Sequence, residues 1–372
     1  MISSLTIATF QGSFGSSLLK EVIQTKSAKN IAVSPLAVET CLAMIRMGAE
    51  GETAQNLDQV LNNTSKDFSF IIDTYHNELK KYTSSNVLKL ANKMYVINKH
   101  PINKDFEAIL SSQFFTNVEN IDFKKTKETA ETINHWVDSK TGNAIADLEE
   151  NLKPTTDLLL VSTVNFNGKW KTEFNEKWTK PDKFYIDEND NYIMLPMMKV
   201  RSYFRYGRQS AMNAGAILLP YQDSGLSMLI VVPFRADGLD KVLNTMKSLD
   251  MPSFVANSVF QRKRIEFRMP KFKVEFSGNL SESLKKMGLT KIFESGDFGQ
   301  MLASSEPLAV TEIIHQTTIE VGEAGNPAPP ASTADHYSRN NPFFRFSADG
   351  PFYYAILNKD FVPLIEGVFV GK

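Results

Sequence analysis

The feature that most constrains the fold is a change of residue pattern between residues 139 and 158. Before it, apolar side chains recur three and four positions apart, the spacing of one face of a helix. After it, the apolar runs are short and rich in β-branched and aromatic residues, which is typical of strands. Because helices precede strands without regular βαβ alternation, the pattern predicts an α+β fold with mostly antiparallel sheets.

The second predicted helix has the clearest ends. Ser34 and Pro35 are suited to its cap and first turn, and Gly48 is suited to its end. Its predicted apolar face comprises Leu36, Thr40, Ala43 and Met47. A later helix is expected to start at Asn279 or Ser281 and to stop at Gly288. The predicted helices are 9–25, 34–48, 52–61, 67–82, 126–139 and 280–288, and the predicted strands are 158–166, 216–221, 227–234, 264–276 and 352–357.

Composition indicates one large globular domain over residues 1–372. The chain is 42% hydrophobic and has no break in composition that would separate two domains. A chain of this length can bury a large core without disulfides or metal. Its single cysteine, Cys41, excludes an intramolecular disulfide and is expected to be a small buried apolar side chain rather than a catalytic thiol.

The charge pattern gives no reason to expect nucleic acid or an anionic membrane as a partner. The formal net charge is −1. The basic run "QRKRIEF" (261–267) is short, and we expect a solvated strand edge there rather than a polyanion site. No apolar stretch reaches the roughly 18–20 residues of a membrane-spanning helix.

No motif of enzyme chemistry is present in the sequence. None of the five histidines has the H-E-x-x-H or a related metal-ligand spacing. There is no G-x-S-x-G elbow, no Walker loop and no G-x-G-x-x-G after a strand. The sequence therefore predicts neither catalysis nor a metal or cofactor.

A series of sequence blocks, in order along nearly the whole chain, resembles the serpin family. The early block "NIAVSPLAVETCLAMIRMGAEGETAQNLDQVL" (30–61) is similar to the family's first helix pair. Six further blocks are similar to family motifs: "LKLANKMYV" (88–96), "INHWVDSKTGNAIADL" (133–148), "LLLVSTVNFNGKWKTEF" (158–174), "LPYQDSGLSMLIVVP" (219–233), "MPKFKVEFSGNLSESLKKMGL" (269–289) and "FSADGPFYYAIL" (346–357). One such block is weak support, but seven in the same order are specific.

The resemblance implies three β-sheets, roughly eight or nine helices and an exposed reactive-centre loop over about 323–346. In this family a peptidase cleaves the loop, and the freed arm inserts as a new central strand. The acylated peptidase is carried across the sheet and deformed. This requires a sheet held under strain that insertion relieves.

The resemblance also assigns the loop's hinge. "HQTTIEVGEAGNPAPPAS" (315–332) lies over the family pattern "HKAxLxVxEEGTEAAAAT". His315, Glu323 and Gly325 fall on the pattern's His, Glu and Gly. At the far end, "FSADGPF" (346–352) resembles "FxADHPF", which gives a loop of near-normal length.

Counting about fourteen residues from Gly325 places the candidate scissile bond at Arg339–Asn340. Arginine there suits a trypsin-like peptidase whose primary pocket carries an acid. A slip of one residue gives Ser338–Arg339 or Asn340–Asn341. In an alternative register, "RNNPFF" (339–344) is the post-loop motif, and the bond then lies within Ser332–Tyr337.

The hinge departs from the family pattern. Small residues usually follow the hinge glycine, but here the run is Asn326, Pro327, Ala328, Pro329, Pro330 and Ala331. Proline has no N–H for a strand ladder. Each unmet buried acceptor costs about 1–3 kcal/mol, so insertion is expected to be slower or partial. The Pro-rich composition beside Ser332 and Thr333 also fits O-glycosylation, with an unmodified loop as the alternative.

The resemblance places four residues in the region where the main sheet opens. They are Ser34, Ser162, Trp170 and His315. Ser162 replaces the family's usual asparagine, and Ala37 replaces a usual serine. Because of these replacements, the free energy of opening the main sheet is not expected to follow the family's usual pattern.

Two functions follow from the resemblance. The first is a monomeric inhibitor of a trypsin-like serine or papain-like cysteine endopeptidase, acting in part by tight blockade. The second is a non-inhibitory carrier, chaperone or storage serpin whose loop is only a substrate. A heparin-type site is not expected, since the region 67–82 where relatives place it has only Lys80 and Lys81 as bases. Neither function needs a cofactor.

We expect a secreted glycoprotein whose signal peptide is absent from this chain, with a cytoplasmic location as the alternative. The glycosylation sequons begin at Asn62, Asn63 and Asn279.

Overall fold

The structure is a computed structural model that describes residues 2–25, 29–61, 68–142, 148, 152–222, 225–257, 259–304, 307–324 and 343–371. These residues form nine α-helices and fourteen strands. The helices are α1 (Ile2–Thr25), α2 (Pro35–Gly48), α3 (Gly51–Val60), α4 (Phe68–Lys80), α5 (Lys104–Phe114), α6 (Thr126–Thr141), α7 (Leu239–Met246), α8 (Met251–Ala256) and α9 (Ser281–Lys286). The strands are β1 (Ile31–Val33), β2 (Leu88–Ile97), β3 (Val118–Ile121), β4 (Leu158–Phe166), β5 (Lys180–Tyr185), β6 (Tyr192–Gln209), β7 (Ala214–Pro220), β8 (Ser227–Pro233), β9 (Gln261–Pro270), β10 (Phe272–Asn279), β11 (Val310–Val321), β12 (Phe344–Ser347), β13 (Phe352–Leu357) and β14 (Pro363–Phe369). The α+β prediction is confirmed.

The larger sheet contains nine strands in the order β1-β14-β13-β8-β7-β6-β9-β12, with β5 on β6. The 18-residue strand β6 pairs with β5 and β9 along its first part and with β7 at its end. The described strands form two sheets, not the three that the resemblance implies, because this long strand belongs to one continuous nine-stranded sheet. The strand β12 pairs with β9 in parallel, only along Ile265–Arg268, and Gln261, Arg262 and Lys263 are exposed.

The smaller sheet has five strands in the order β10-β11-β4-β2-β3. The prediction of one strand over 264–276 is wrong, because the chain breaks at Lys271 into β9 and β10, which belong to different sheets. Pro270, at the end of β9, has no N–H with which to extend a ladder. The apolar positions change phase at the break, from Ile265, Phe267 and Met269 to Phe272, Val274 and Phe276, so the sequence carried a signal that the single-strand prediction missed.

The helix α2 is buried on every side. All fourteen of its residues are buried, including Glu39 and Arg46. Its predicted start is confirmed, because the Ser34 side chain accepts a hydrogen bond from the Ala37 amide at 3.3 Å. The prediction of a single buried face is wrong, because other elements pack around the whole helix.

The structure confirms most predicted elements and adds several. Gly288 ends α9 with a left-handed φ of 96°, as expected for a glycine there. The N-cap of α9 is Leu280, which has no side-chain cap, while the Asn279 side chain accepts from the Ser281 amide. The helices α5, α7 and α8 and the strand β6 were not predicted. In α5 and α7 the apolar residues do recur at helical spacing, as Phe106, Leu110 and Phe114 and as Val242, Leu243 and Met246, so the sequence carried a signal that the prediction missed.

The chain forms two compact units. One contains residues 33–165 and 275–317, and the other contains 4–32, 166–274 and 318–372. Since the chain passes repeatedly from one unit to the other, one cut cannot separate them, and the single-domain organisation stays a prediction. None of the described helices combines the length and hydropathy needed to cross a bilayer.

Candidate functional site

The chain that enters the predicted loop is fastened by the segment around Trp170. The Trp170 indole Nε1–H donates to the Gly322 carbonyl at 2.8 Å, and its backbone N–H donates to the Ala324 carbonyl at 3.2 Å. The Phe174 N–H donates to the Glu323 carbonyl at 2.9 Å. The indole is 2% exposed and stacks on Tyr221, with ring centroids 4.3 Å apart. These contacts hold the last described residues before the loop.

Glu323, the predicted hinge acid, is held by an ion pair. Its Oε2 atom lies 2.9 Å from Nζ of Lys271, and Glu323 is 9% exposed. Burial works to raise the pKa of Glu323, but the hydrogen bonds from Lys271 and from its own backbone lower it overall. The carboxylate is therefore ionised at neutral pH.

The chain that leaves the loop is fastened by β12. This strand pairs in parallel with β9, and its Phe346 ring stacks on Phe267 with centroids 5.6 Å apart. The first described residue after the loop is Phe343, whose ring lies under the guanidinium groups of Arg264 and Arg201, at 4.1 and 5.5 Å. Both ends of the loop segment are thus fixed by described contacts.

A second cluster surrounds His315 in the five-stranded sheet. The Ser34 backbone N–H donates to Nε2 of His315 at 2.9 Å, and the Thr317 hydroxyl lies 2.7 Å from the same nitrogen. The other ring nitrogen, Nδ1, lies 3.0 Å from Oγ of Ser162. Ser162 also shares a hydrogen bond with the buried thiol of Cys41.

These contacts define the protonation of His315. Because a backbone N–H can only donate, Nε2 must be an acceptor, so the neutral ring carries its proton on Nδ1 and donates to Ser162. Complete burial lowers the pKa of His315 to about 3. The imidazole is therefore a neutral connector between the start of α2, β4 and β11, and it has no acid–base role at neutral pH.

Side-chain hydrogen bonds join β4 to β11, its neighbour in the sheet. Beside the His315–Ser162 contact, the Thr163 hydroxyl lies 3.3 Å from Oε1 of Gln316. Just before β4, the Asp157 N–H donates to Oγ1 of Thr311 at 2.9 Å. The residue numbers of the paired positions increase together along both segments, so the two strands run parallel. A strand inserted between them would break all three contacts.

The structure assembles the predicted site residues in two groups. Ser34, Ser162 and His315 form one cluster, and Trp170 and Glu323 form the other. Asn279 is exposed at the end of β10. The other predicted residues lie outside the described part of the chain: Gly325, Asn326, Pro327, Pro329, Pro330, Ser332, Thr333, Arg339, Asn340, Asn62 and Asn63.

Sequence reasoning missed three partners of these residues. Thr317 lies two positions from His315 on one strand, so the period of two predicts the same face and could have identified it. Cys41 was expected to be buried, which is confirmed, and burial raises the pKa of its thiol. Its contact with Ser162 had no signal in the sequence, and neither did the contact of Lys271 with Glu323.

Comparisons with known proteins agree on one family. A family model described as "Serpin (serine protease inhibitor)" matches residues 10–370. Antitrypsin from Bombyx mori is 30% identical over 364 residues, covering 96% of this chain and 92% of the relative. Human Serpin B3 is 28% identical over 348 residues, covering 85% and 89%. The structure of cleaved Serpin 42Da superposes with a TM-score of 0.88 at 33% identity, covering 100% of this chain and 99% of that one.

Proposed function

The chain belongs to the serpin family of serine protease inhibitors, which is not a family of enzymes. We propose that it inhibits an endopeptidase by presenting the bond after Arg339. The observation that carries the proposal is the arrangement on either side of that segment. Trp170 and Phe174 bind the chain before the loop, and β12 binds the chain after it. A segment fastened at both ends is suited to presenting a peptide bond to a peptidase.

The residue type at the bond indicates the class of target. Arg339 would place a guanidinium in the primary pocket of a trypsin-like peptidase, where an acid pairs with it bidentately. A similar relative from Bombyx mori carries the name antitrypsin, which supports a serine peptidase of this specificity. A papain-like cysteine peptidase is the other class to be tested.

The proposed reaction begins as ordinary proteolysis. The peptidase nucleophile attacks the Arg339 carbonyl, the bond to Asn340 breaks, and an acyl-enzyme forms. Strand insertion then competes with hydrolysis of this ester. Insertion between β4 and β11 requires the loss of the His315–Ser162 and Thr163–Gln316 contacts. Together with the prolines after Gly325, these contacts slow insertion and favour a mixture of covalent trapping and reversible blockade.

The test is incubation with trypsin and with papain, followed by activity assays, denaturing gels and N-terminal sequencing of the fragments. Inhibition together with a new N-terminus at Asn340 is expected for trypsin. Arg339→Ala should abolish both, while Arg345→Ala should change neither, because Arg345 lies on β12 with its side chain 85% exposed.

The alternative is a non-inhibitory serpin, and one sequence observation favours it. Pro327, Pro329 and Pro330 each lack the N–H that an inserted strand donates. Clean cleavage after Arg339 with full residual trypsin activity would establish this alternative and exclude the inhibitor. Inhibition without a detergent-stable complex would instead indicate blockade without trapping.

We further propose that the protein acts as a secreted monomer. The side chain of Asn279 is exposed, which makes its sequon accessible to an oligosaccharide. Expression through a secretory pathway, followed by glycosidase treatment and mass measurement, tests this proposal. A mass unchanged by the glycosidase would contradict the glycoprotein assignment.

A further inference from the structure

A cavity of 1010 Å³ opens within the unit formed by residues 33–165 and 275–317. Its walls come from the turn after α4, the start of β2, the end of α5 and the last turns of α6. Its size is near the upper end of the range for small-molecule sites. None of its lining residues belongs to the loop anchors or to the His315 cluster described above.

The lining combines aromatic rings with positive charge. Its three ionised side chains are all lysines, Lys89, Lys93 and Lys140, and none of the lining residues is an aspartate or glutamate. Lys93 is held 2.6 Å from Glu119, whereas Lys89 and Lys140 are exposed. The rings belong to Tyr82, Phe114, Phe115 and Trp136. Cations beside apolar rings suit a ligand that has an apolar body and an anionic group.

One lining residue, Asn92, has a buried side-chain amide without the hydrogen bonds that buried amides normally make. It is 5% exposed, and neither Oδ1 nor Nδ2 has a hydrogen-bond partner among the described residues. Its backbone carbonyl is satisfied by the Thr116 hydroxyl at 2.5 Å, so only the side chain lacks partners. A buried polar group without a partner costs about 1–3 kcal/mol, and such groups are rare in native proteins.

A second lining residue, Phe115, is the left-handed C-cap of α5, a position that glycine usually occupies. Its φ is 55°, in the left-handed region, where a non-glycine residue costs roughly 1–2 kcal/mol. The ring is also 44% exposed, with His76 beside it at a centroid distance of 4.9 Å. Two unfavourable features at one cavity are typical of a binding site, where stability is reduced for function.

We propose that this cavity binds an amphipathic organic anion. The apolar body of the ligand would pack against Phe114 and Phe115, its anionic group would lie near Lys89 and Lys140, and the Asn92 amide would provide a hydrogen-bonding group. This activity goes beyond peptidase inhibition and does not depend on it.

The test uses two fluorescent probes of similar shape. One is 8-anilino-1-naphthalenesulfonate, which carries an anion, and the other is N-phenyl-1-naphthylamine, which does not. We expect saturable binding of the sulfonate to the full chain, with tighter affinity than the neutral probe. Trp136 lines the cavity, so energy transfer from tryptophan to the bound sulfonate should fall in Trp136→Phe. Equal affinity for both probes, or no saturation, would overturn the proposal.

Charge variants test the position of the anionic group. Exposed ion pairs contribute about 0.2–1 kcal/mol each, so Lys89→Gln with Lys140→Gln should raise the Kd of the sulfonate about fivefold. The matched control, Lys177→Gln with Lys241→Gln, removes two exposed lysines that are not part of the lining and should leave the Kd unchanged. If both pairs change the Kd equally, attraction is general and the proposed site is wrong.

The Asn92→Leu variant separates a binding role from a structural one. Leucine has a similar volume and no polar atoms, so we expect an unchanged or higher Tm together with a Kd raised at least threefold. A purely structural asparagine would give a lower Tm and an unchanged Kd. A Kd within twofold of the original, whatever the Tm, would contradict the role assigned to Asn92.

Discussion

At the residue scale, two buried titratable side chains influence stability in opposite directions. His315 is neutral in the folded state, and burial lowers its pKa to about 3. Burial raises the pKa of Glu366 to about 7, although the hydroxyls of Ser16 and Tyr353 donate to its Oε2 at 2.7 and 2.8 Å. Within the described part of the chain, its Oε1 accepts no hydrogen bond, so the carboxylate form is poorly stabilised and the carboxyl is protonated below pH 7.

The contribution of His315 should be lost in acid. Its folded pKa lies below the unfolded value of 6.5, so the unfolded chain binds more protons as the pH falls from 6.5 toward 3. Between pH 7 and pH 4 this lowers the free energy of unfolding by about 3 kcal/mol. In His315→Gln, urea titrations across this range should show a flatter pH dependence. His135→Gln, at an exposed position on α6, should keep the original slope.

The contribution of Glu366 should be lost in base. Its folded pKa lies above the unfolded value of 4.5, so the stabilisation is complete below pH 4.5 and lost as the pH rises through 7. We therefore compare the free energy of unfolding of Glu366→Gln with that of the original chain. The difference should favour the variant by about 2–3 kcal/mol more at pH 8 than at pH 5. Glu131→Gln, exposed on α6, is the control and should show no such difference. Equal effects of Glu366→Gln at both pH values would contradict the assigned protonation.

At the scale of elements, side-chain packing outweighs helix propensity at the last residue of α2. Alanine is normally the better helix former, and glycine in a helix costs about 1 kcal/mol relative to it. At Gly48, however, an added Cβ would lie 2.6 Å from Cβ of Met301 and 3.1 Å from the Phe106 ring. The glycine is therefore needed for close approach, although the sequence suggested a helix stop.

Gly48→Ala should consequently destabilise the protein. We expect a loss of about 1–3 kcal/mol from overpacking, measured as a lower midpoint in urea. Gly142→Ala is the comparison, since its φ of 75° strains an alanine, but no atom of the residues that the structure describes, its chain neighbours apart, lies within 4 Å of the new Cβ. Its loss should be about 1–2 kcal/mol, from the left-handed backbone alone. A larger loss of stability in Gly142→Ala than in Gly48→Ala would contradict the explanation that close packing requires a glycine at position 48.

At the scale of the whole molecule, the question is whether the five-stranded sheet can accept a sixth strand. In this structure β4 and β11 are neighbours joined by side-chain contacts. Insertion must break those contacts and accommodate prolines that donate no ladder bonds. The loss of these contacts and the missing N–H groups both oppose insertion. They therefore favour the five-stranded sheet over a sheet with an inserted strand.

Replacing Pro327, Pro329 and Pro330 by alanine should favour insertion. After cleavage by trypsin, the triple variant should gain more thermal stability than the original chain, because each restored N–H can satisfy a buried acceptor worth about 1–3 kcal/mol. The fraction in detergent-stable complex should also rise. Pro181→Ala on β5, outside the loop, is the control. If the triple variant changes neither quantity, the prolines do not limit insertion.

The sequence alone determined the family, the α+β class and the start of α2, because these depend on local patterns and ordered motifs, while the position of the loop with Arg339 stays a prediction. It also identified Ser34, Ser162 and His315 as members of one site. Only the tertiary structure decided the full burial of α2, the joining of strands through β6, the tautomer of His315 and the cavity beside Asn92. These features depend on contacts between residues far apart in the sequence, such as Gly48 of α2 and Met301, and a local pattern carries no information about such partners.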